Sequence, residues 1–312
     1  MRGSKNKIFL EKIKGKTVFV TGGSGFIGKH LVRLLNEYCD VIVLSRKTKI
    51  KGQKTAMADI TDNKALLNSV KKFDFDLVFH VAGNTVTPHR TNDLDHFSIN
   101  AIGTKNILEL CQKKEVNQII YSSSMEVYGN PLYFPVDETH PKIPVSYYGL
   151  SKLMGEHYCH EYFKQYGICS TILRYSYVYG PGLPDYRAIP LFIMKAFANE
   201  PLHLHNKGTT STDYVFVKDV SMANILAASN EKAKNQVLNI GSGNETSIEE
   251  LANSIIKIIG SGTILKISGG MGIPKKFVLD ITKAKKILKF YPMTSLPEGL
   301  KKQIDYIITS KS

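Results

Sequence analysis

A glycine-rich turn directly follows the first predicted strand, and it constrains the fold more than any other feature. Residues 16–21 (KTVFVT) predict a buried β-strand, and the turn GGSGFIG then opens an amphipathic helix. In this context Gly22 permits a tight turn, Gly25 lets the backbone approach a pyrophosphate, and Gly28 lets the helix pack closely on the sheet. The helix N-terminus offers N–H groups and a positive dipole end to phosphates. The predicted cofactor-binding residues of this turn are Gly22, Gly25, Phe26, Ile27 and Gly28.

Short apolar runs alternate with helical patterns through the first half of the chain. This alternation predicts crossover units, and hence a parallel sheet with helices on both faces. After Gly180 the rhythm loosens, and glycine and proline cluster over residues 180–184. The predicted strands are 16–21, 41–44, 77–81, 118–122, 171–175 and 237–240, and the predicted helices are 26–37, 65–72, 101–113, 148–165, 189–199 and 247–259.

These patterns predict an α/β fold with a Rossmann-type doubly wound parallel sheet and a smaller C-terminal substrate-binding lobe. We expect the dinucleotide-binding domain over residues 12–180 and the lobe over residues 181–312. About residues 213–242 are expected to return to the Rossmann sheet. In the lobe, Ser247 and Glu250 have the spacing of a capping box at the start of a helix.

Composition and charge exclude several classes of protein. Hydrophobic residues make up 43% of the chain and charged residues 22%, which is typical of a globular protein. Apolar runs are too short to span a bilayer, so we expect no membrane partner. The net charge of +14 raises the possibility of nucleic-acid binding. Because the lysines are spread over many segments without interleaved aromatics, we expect no nucleic-acid partner.

The cysteines and histidines form no pattern typical of a metal centre. The four cysteines include no C-x-x-C pair, which predicts reduced thiols and a cytoplasmic location. Two histidine pairs lack a supporting cluster of cysteine or carboxylate ligands, so no metal site is predicted. These pairs are His157 with His160 and His203 with His205.

The end of the second strand indicates which nicotinamide cofactor is used. A carboxylate at position 45 would hold the ribose 2′-hydroxyl of NAD, but this chain has Ser45 followed by Arg46. These residues suit a 2′-phosphate, so the sequence favours NADP(H) and leaves NAD possible. Arg46 could alternatively stack on the adenine. Further cofactor contacts are expected at Asp59 and Ile60, beside the adenine, and at Val81, Ala82 and Gly83, where a strand ends.

A Y-x-x-x-K motif places Tyr148 and Lys152 on one face of a helix. A phenol with a pKa near ~10 is a poor base at neutral pH, and a neighbouring ammonium favours the phenolate. Lys152 can therefore bring Tyr148 into a useful range, and it can also bind the nicotinamide ribose. Ser124 follows a predicted strand and can hydrogen-bond a substrate oxygen that is being oxidised or reduced. These residues are predicted to be catalytic, and Tyr148 and Lys152 also contact the cofactor.

Motifs along the chain resemble those of the extended short-chain dehydrogenase/reductases. In order they are TGGSGFIG, HVAG, SSSMEVYG, YGLSK and LRYSYVYGPG. Within that group the chain is similar to the nucleotide-sugar epimerase/dehydratase family from about Lys16 to the C-terminus. The resemblance implies Tyr148 as the general base, a nucleotide-sugar substrate, and a 4-keto intermediate made by hydride transfer to nicotinamide. It also implies a homodimer joined through helices near residues 101–113 and 151–165.

The reaction after the keto step depends on the residues around Glu126. An epimerase, in which hydride returns to the other face of the sugar, is the leading prediction. A dehydratase would use Glu126 to remove the 5-proton, but Met125 stands where many dehydratases place an acid, and a thioether cannot protonate the leaving hydroxide. Ser45 and Arg46 favour an NADPH-dependent keto-sugar reductase. The non-enzyme alternative is a binding protein that senses NADP(H), although a sensor needs no acid–base pair.

The chain departs from the family pattern where relatives hold the substrate diphosphate. Tyr177 replaces an Asn, Thr212 replaces an Arg, and residues 270–272 (GMG) replace a later Arg. Each charged hydrogen bond is worth about 1.5–3 kcal/mol, so either other cations replace these anchors or the substrate is not an ordinary nucleoside diphosphate sugar. The candidate replacements are Arg187, Lys195, Lys275 and Lys276. The predicted substrate contacts are Asn84, Met125, Tyr177 and Arg187.

Overall fold

A seven-stranded parallel sheet forms the centre of the computed structural model, which describes residue 9 and residues 11–85, 93–269 and 276–311. The strands are β1 (Thr17–Thr21), β2 (Asp40–Ser45), β3 (Lys54–Met57), β4 (Leu77–His80), β5 (Gln118–Ser124), β6 (Cys169–Tyr175) and β11 (Val237–Ile240). Their order across the sheet is β11-β6-β5-β4-β1-β2-β3. The chain therefore winds outward from β1 in both directions, which confirms the α/β Rossmann-type sheet.

Helices cover both faces of this sheet, and further helices pack beside it. They are α1 (Phe26–Leu35), α2 (Asn63–Ser69), α3 (Asp93–His96), α4 (Gly103–Lys113), α5 (Tyr147–Tyr166), α6 (Ala188–Phe197), α7 (Val217–Ala228), α8 (Ile248–Ile259), α9 (Thr282–Leu288) and α10 (Leu296–Lys311). Successive residues of β1 point to opposite faces. Val18 shares a core cluster with Leu31 of α1, whereas Phe19 shares another with Ile107 of α4. Each face of the sheet therefore has its own apolar core.

Short strands and the later helices form a third core cluster beside the sheet. Strand β7 (Tyr177–Tyr179) pairs in parallel with β10 (Tyr214–Phe216). Strand β8 (Pro201–Leu204) pairs in parallel with β13 (Thr263–Lys266). A three-stranded sheet contains β12 (Thr246–Ser247), β9 (Ser211–Thr212) and β14 (Lys276–Phe277). The predicted division into a Rossmann domain and a substrate lobe stays a prediction.

Several elements differ from those that the sequence pattern predicted. The strand β3 and the helices α7 and α10 were not predicted, and β5 continues to Ser124. Helix α7 is buried on all sides, so it lacks the polar face that makes a helix recognisable. Pro297 and Gly299 obscure the start of α10, although proline is tolerated in a first turn. A π-helix over Phe97–Ile102, which leads into α4, was also not predicted.

The capping box at the start of α8 is confirmed, because the Ser247 side chain accepts from the Glu250 N–H and the Glu250 carboxylate accepts from the Ser247 N–H. Within the described ranges, every helix is too short or too polar to cross a bilayer.

Candidate active site

The glycine turn after β1 has no room for side chains. Gly22 has a φ of +70°, and a Cβ there would lie 2.6 Å from the Ala82 nitrogen. A Cβ on Gly28 would lie 2.0 Å from the Gly22 carbonyl oxygen. Gly25 is the N-cap of α1 and provides no side-chain cap, and the first turn of this helix contains no acidic residue. The uncapped N–H groups and the bare turn fit the pyrophosphate of a dinucleotide.

The predicted adenine-side residues lie together at the end of β2. Ser45 is buried, and the Arg46 Nη1 lies 3.8 Å from the Asp59 Oδ2. The Asp59 carboxylate also accepts hydrogen bonds from the backbone and side chain of Thr61. Ile60 is buried against Gly103 at the start of α4. Arg46 is therefore partly paired but remains more than half exposed, with donors free for an anionic ligand.

Tyr148 and Lys152 occupy successive turns of α5, facing the end of β5. The Lys152 Nζ donates to the Ser122 carbonyl at 2.8 Å and lies 5.2 Å from the centre of the Tyr121 ring. Burial lowers the pKa of Lys152 to about 8, although Glu156 opposes this shift. Lys152 is therefore charged at neutral pH and loses its proton at mildly alkaline pH.

Tyr148 is held beside Ser124, Glu126 and Arg187. Burial raises the pKa of Tyr148 above its ordinary value, and the Glu126 carboxylate raises it further. A hydrogen bond from Ser124 and the positive charge of Arg187 act in the opposite direction. The sequence predicted that Lys152 lowers this pKa, but the groups that favour the phenolate are instead Ser124 and Arg187, and burial outweighs both.

Glu126 follows Ser124 in a 3₁₀ turn over Met125–Tyr128. Its Oε2 accepts a hydrogen bond of 2.7 Å from the Ser146 hydroxyl, and Ser146 in turn caps α5 by accepting from the Gly149 N–H at 3.0 Å. Met125 is half-buried and packs against the apolar cluster that contains Val127. The carboxylate therefore helps to hold the first turn of the helix that carries Tyr148.

Two asparagines also lie at this site, and neither was predicted from the sequence to be catalytic. The Asn100 Oδ1 accepts from the Asn84 N–H at 2.7 Å, and the Asn100 Nδ2 donates to the Ser151 hydroxyl at 2.9 Å. A Cβ on Gly83 would lie 3.0 Å from the Lys152 Nζ and 3.1 Å from the Asn100 Oδ1. Space beside Lys152 thus exists because position 83 is glycine. An asparagine within an otherwise apolar helical pattern was the signal for Asn100.

Tyr177 and Arg187 lie on the substrate side. The Tyr177 ring packs against the Tyr214 ring at 5.2 Å, and the pKa of Tyr177 is raised by burial and lowered by Arg187. Arg187 directly precedes α6, and its Nη2 donates to the Thr85 carbonyl at 2.9 Å. The positive charge of Arg187 lowers the pKa of both Tyr148 and Tyr177, so Arg187 lies on the same side of the site as these two tyrosines.

The other candidate anion anchors are less well placed. Lys276 pairs with Glu245, and the Lys195 Nζ lies 3.5 Å from the Pro201 carbonyl. Lys275 and residues 270–272 lie outside the described residues. The buried Thr212 hydroxyl has no hydrogen-bond partner among the described residues. Arg187 is therefore the candidate that the structure brings to Tyr148.

Known proteins are similar to this chain along most of its length. A model of the NAD-dependent epimerase/dehydratase family matches residues 18–241. A putative UDP-glucose 4-epimerase from Methanocaldococcus jannaschii is 38% identical over 305 residues, or 93% of this chain and 98% of that protein. The solved UDP-glucose 4-epimerase of Thermotoga maritima, with UDP-glucose, is 31% identical with a TM-score of 0.89 and covers 95% of this chain and 100% of that one.

A further solved structure bears on the cofactor. The UDP-glucuronic acid 4-epimerase from Bacillus cereus, in complex with UDP-glucuronic acid and NAD, is 30% identical with a TM-score of 0.84. The match covers 94% of this chain and 99% of that chain. These similarities confirm the family that the motifs predicted. They give no support to the NADP(H) preference that Ser45 and Arg46 predict.

Proposed function

This chain belongs to the NAD-dependent epimerase/dehydratase family, and from that premise we propose that it is a UDP-sugar 4-epimerase with Tyr148 as its general base. One observation carries the proposal. The Tyr148 phenol lies at the carboxyl edge of the sheet, near enough to Ser124 for that hydroxyl to lower its pKa, and on the same helix as Lys152, which borders the space that Gly83 leaves open. Members of this family are enzymes, which leaves no role for the alternative of a sensor that only binds NADP(H).

Each residue of the site has a role in the proposed reaction. Tyr148 takes the proton of the sugar 4-hydroxyl and later returns it, while Ser124 donates to the same oxygen. Lys152 binds the nicotinamide ribose, and its ammonium adds positive charge near the phenolate. The glycine turn and Lys152 would hold the nicotinamide cofactor, which would supply reversible hydride transfer at C4 of the sugar. The chain needs no further acid, because the epimerase reaction has no leaving group.

The residues around Glu126 favour epimerisation over elimination of water. The Glu126 carboxylate accepts a hydrogen bond from Ser146, and so it is occupied in holding the start of α5. Met125 cannot donate the proton that a leaving hydroxide requires. The dehydratase and the keto-sugar reductase are the alternative reactions, and analysis of the products distinguishes both from an epimerase.

Arg187 favours a sugar that carries negative charge near its reacting carbons. Its guanidinium lies by the general base, where it can pair with a carboxylate on the sugar, as a bidentate partner. The Bacillus cereus relative is described as acting on UDP-glucuronic acid. We propose UDP-glucuronic acid as the first substrate to test, followed by UDP-glucose and UDP-N-acetylglucosamine.

Product analysis tests the proposed reaction. The protein is incubated with each UDP-sugar and with NAD or NADP, and products are examined by mass spectrometry and by NMR of the sugar ring. We expect unchanged mass with inverted configuration at C4. Loss of one water would instead identify a dehydratase, and a change of two hydrogens with cofactor turnover would identify a reductase or dehydrogenase. Absence of any product would contradict the proposed substrate class.

We propose that NAD is the resident cofactor and that Ser45 and Arg46 also admit NADP. Position 45 has no carboxylate to repel a 2′-phosphate, and the exposed Arg46 can donate to it. Binding of the two cofactors should therefore differ by less than about tenfold. In the Arg46→Ala variant NADP binding should weaken about tenfold while NAD binding changes little. Equal loss for both cofactors would place Arg46 on the adenine instead.

We propose a homodimer through the exposed faces of α4 and α5, where Phe163 and Tyr166 are exposed. We also propose a cytoplasmic location, where the free cysteines Cys39, Cys111, Cys159 and Cys169 remain reduced. Light scattering of the purified protein should give twice the mass of one chain, and a single-chain mass would reject the homodimer.

A further inference from the structure

A buried ion pair lies one helical turn behind Lys152. The Arg174 Nε donates to the Glu156 Oε1 at 2.9 Å, and the Arg174 Nη2 donates to the Glu156 Oε2 at 2.6 Å. Both residues are only 2% exposed. This is a bidentate pair that water does not reach.

The pair is extended at both ends by buried hydroxyl groups. The Ser123 hydroxyl donates to the Glu156 Oε1 at 2.5 Å. The Arg174 Nη1 donates to the Tyr128 hydroxyl at 2.9 Å, and that hydroxyl donates to the Asn239 Oδ1 at 2.7 Å. The network therefore joins α5, β5, β6, β11 and the 3₁₀ turn that follows β5.

The elements that this network joins are the ones that carry the proposed catalytic groups. On α5, Glu156 is one turn after Lys152 and two turns after Tyr148. On β5, Ser123 lies between Ser122, whose carbonyl binds the Lys152 Nζ, and Ser124. A shift of Glu156 relative to Ser123 would therefore move the helix and the strand of the site against each other.

Stability alone does not account for such a pair. Two buried charges lose their hydration, and apolar residues of similar volume often give equal or greater stability. The same carboxylate, however, is the negative group that opposes the effect of burial on Lys152. The negative charge of Glu156 therefore acts on Lys152 at the proposed active site, and not only on the packing of the core.

We propose that Glu156, held by Arg174 and Ser123, is a positioning residue that keeps Lys152 charged and aligned with Ser124. This proposal depends on the proposed function in one respect, which is that Lys152 contacts the cofactor. Glu156 contacts neither the cofactor nor the sugar in this scheme, and it acts through Lys152.

Lys152 is the group of this cluster that titrates near pH 8. Burial lowers the pKa of His80 to about 3 and raises the pKa of Cys159 to about 12. Burial also raises the pKa of Tyr121 and of Tyr148 above the ordinary value. In the protein without cofactor or sugar these shifts place each pKa away from pH 8, so a change of NADH affinity near pH 8 reports on Lys152.

The test measures NADH binding by fluorescence from pH 6 to 10, which requires no sugar substrate. Wild-type affinity should fall as Lys152 loses its proton near pH 8. In the Glu156→Gln variant we expect the pH at which NADH affinity falls to decrease by about one unit. The neutral amide no longer stabilises the positive charge of Lys152, so Lys152 loses its proton at lower pH. Turnover, where a substrate is known, should show the same shift.

Two further variants separate positioning from a loss of stability. In the Glu156→Gln/Arg174→Met double variant neither charge remains, so the thermal midpoint should recover while the acid shift persists. Ser123→Ala should give a smaller shift in the same direction. Asp219→Asn, which removes a buried carboxylate bound to the Met293 and Thr294 N–H groups, is the matched control and should leave the pH midpoint unchanged.

The outcomes are distinct. An unchanged pH midpoint in all folded Glu156 and Ser123 variants would overturn the proposal and leave the pair a purely structural one. A shift in Asp219→Asn as large as in Glu156→Gln would overturn it too, because any buried charge would then have the same effect. If wild-type protein binds NADH with the expected pH dependence but converts no UDP-sugar, the proposed function fails and this inference survives.

Discussion

At the scale of the residue, the decisive property is the environment of one phenol. Tyr148 is half-buried in a pocket that raises its pKa, and Ser124 and Arg187 offset part of that effect. Tyr147, its neighbour in sequence, is 61% exposed on the other side of the same helical turn. Two adjacent tyrosines thus have different chemistry, because only one faces the end of β5.

This contrast makes a matched pair of variants. Tyr148→Phe should lower turnover of the UDP-sugar by about 10²–10⁴-fold, since a phenyl ring cannot accept or return the proton. NADH binding should persist, because Lys152 and the glycine turn are intact. Tyr147→Phe is the control and should keep nearly full turnover. Steady-state kinetics of both proteins check this, and full activity of Tyr148→Phe would exclude Tyr148 as the base.

At the scale of the element, the ends of helix α8 show how local signals determine where a helix begins and ends. Helix α8 begins with the capping box of Ser247 and Glu250 and ends at Gly260 in a left-handed conformation. Both signals are local, so the sequence contains them in full. The apolar face of the helix, including Leu251 and Ile255, then packs into the third core cluster.

Removing the cap should cost stability without affecting chemistry. Ser247→Ala should destabilise the protein by about 1 kcal/mol, because the Glu250 N–H loses its acceptor. Ser254→Ala, within the same helix, removes a hydroxyl that donates to the Glu250 carbonyl and should change stability by less than about 0.5 kcal/mol. Thermal melts give both values. Equal losses in the two variants would refute the capping role.

At the scale of the whole molecule, the strong positive charge and the parallel sheet act together. All seven central strands are parallel, so their carboxyl ends meet at one edge, where the glycine turn, Ser124 and Gly83 lie. The net charge of +14 gives the whole chain a positive potential that attracts anions. Nucleotide cofactors and UDP-sugars are both anionic, so the charge favours their encounter with the site.

Salt should therefore weaken nucleotide binding. Between 0.05 and 0.5 M NaCl we expect the dissociation constant of NADH to rise about 3–10-fold, because ions screen the attraction between charges. Adenosine, which has no phosphate, is the control ligand and should bind independently of salt. Fluorescence titrations at several salt concentrations measure this effect. A constant NADH affinity would show that the positive charge has no part in cofactor capture.

Local patterns in the sequence predicted much of this protein. These local patterns are the glycine turn, the periodic pattern of each strand and helix, the Y-x-x-x-K spacing and the capping box. Each depends on backbone geometry with a short period, so no knowledge of distant contacts is needed. They were sufficient for the Rossmann-type sheet and for the placement of Tyr148 and Lys152 on one helix. Helix α7 was not predicted, because it is buried on nearly every side and therefore lacks the alternation of apolar and polar residues that marks an amphipathic helix.

Only the tertiary structure decided which distant groups meet at the site. Glu156 pairs with Arg174 across 18 positions of sequence, and Arg187 bonds the Thr85 carbonyl across 102. Nothing in the local pattern of either partner specifies the other, because these hydrogen bonds depend on which strands lie next to each other in the sheet. The sequence by itself thus determined the folding units and the chemical groups, and the packing of the sheet determined their electrostatic surroundings.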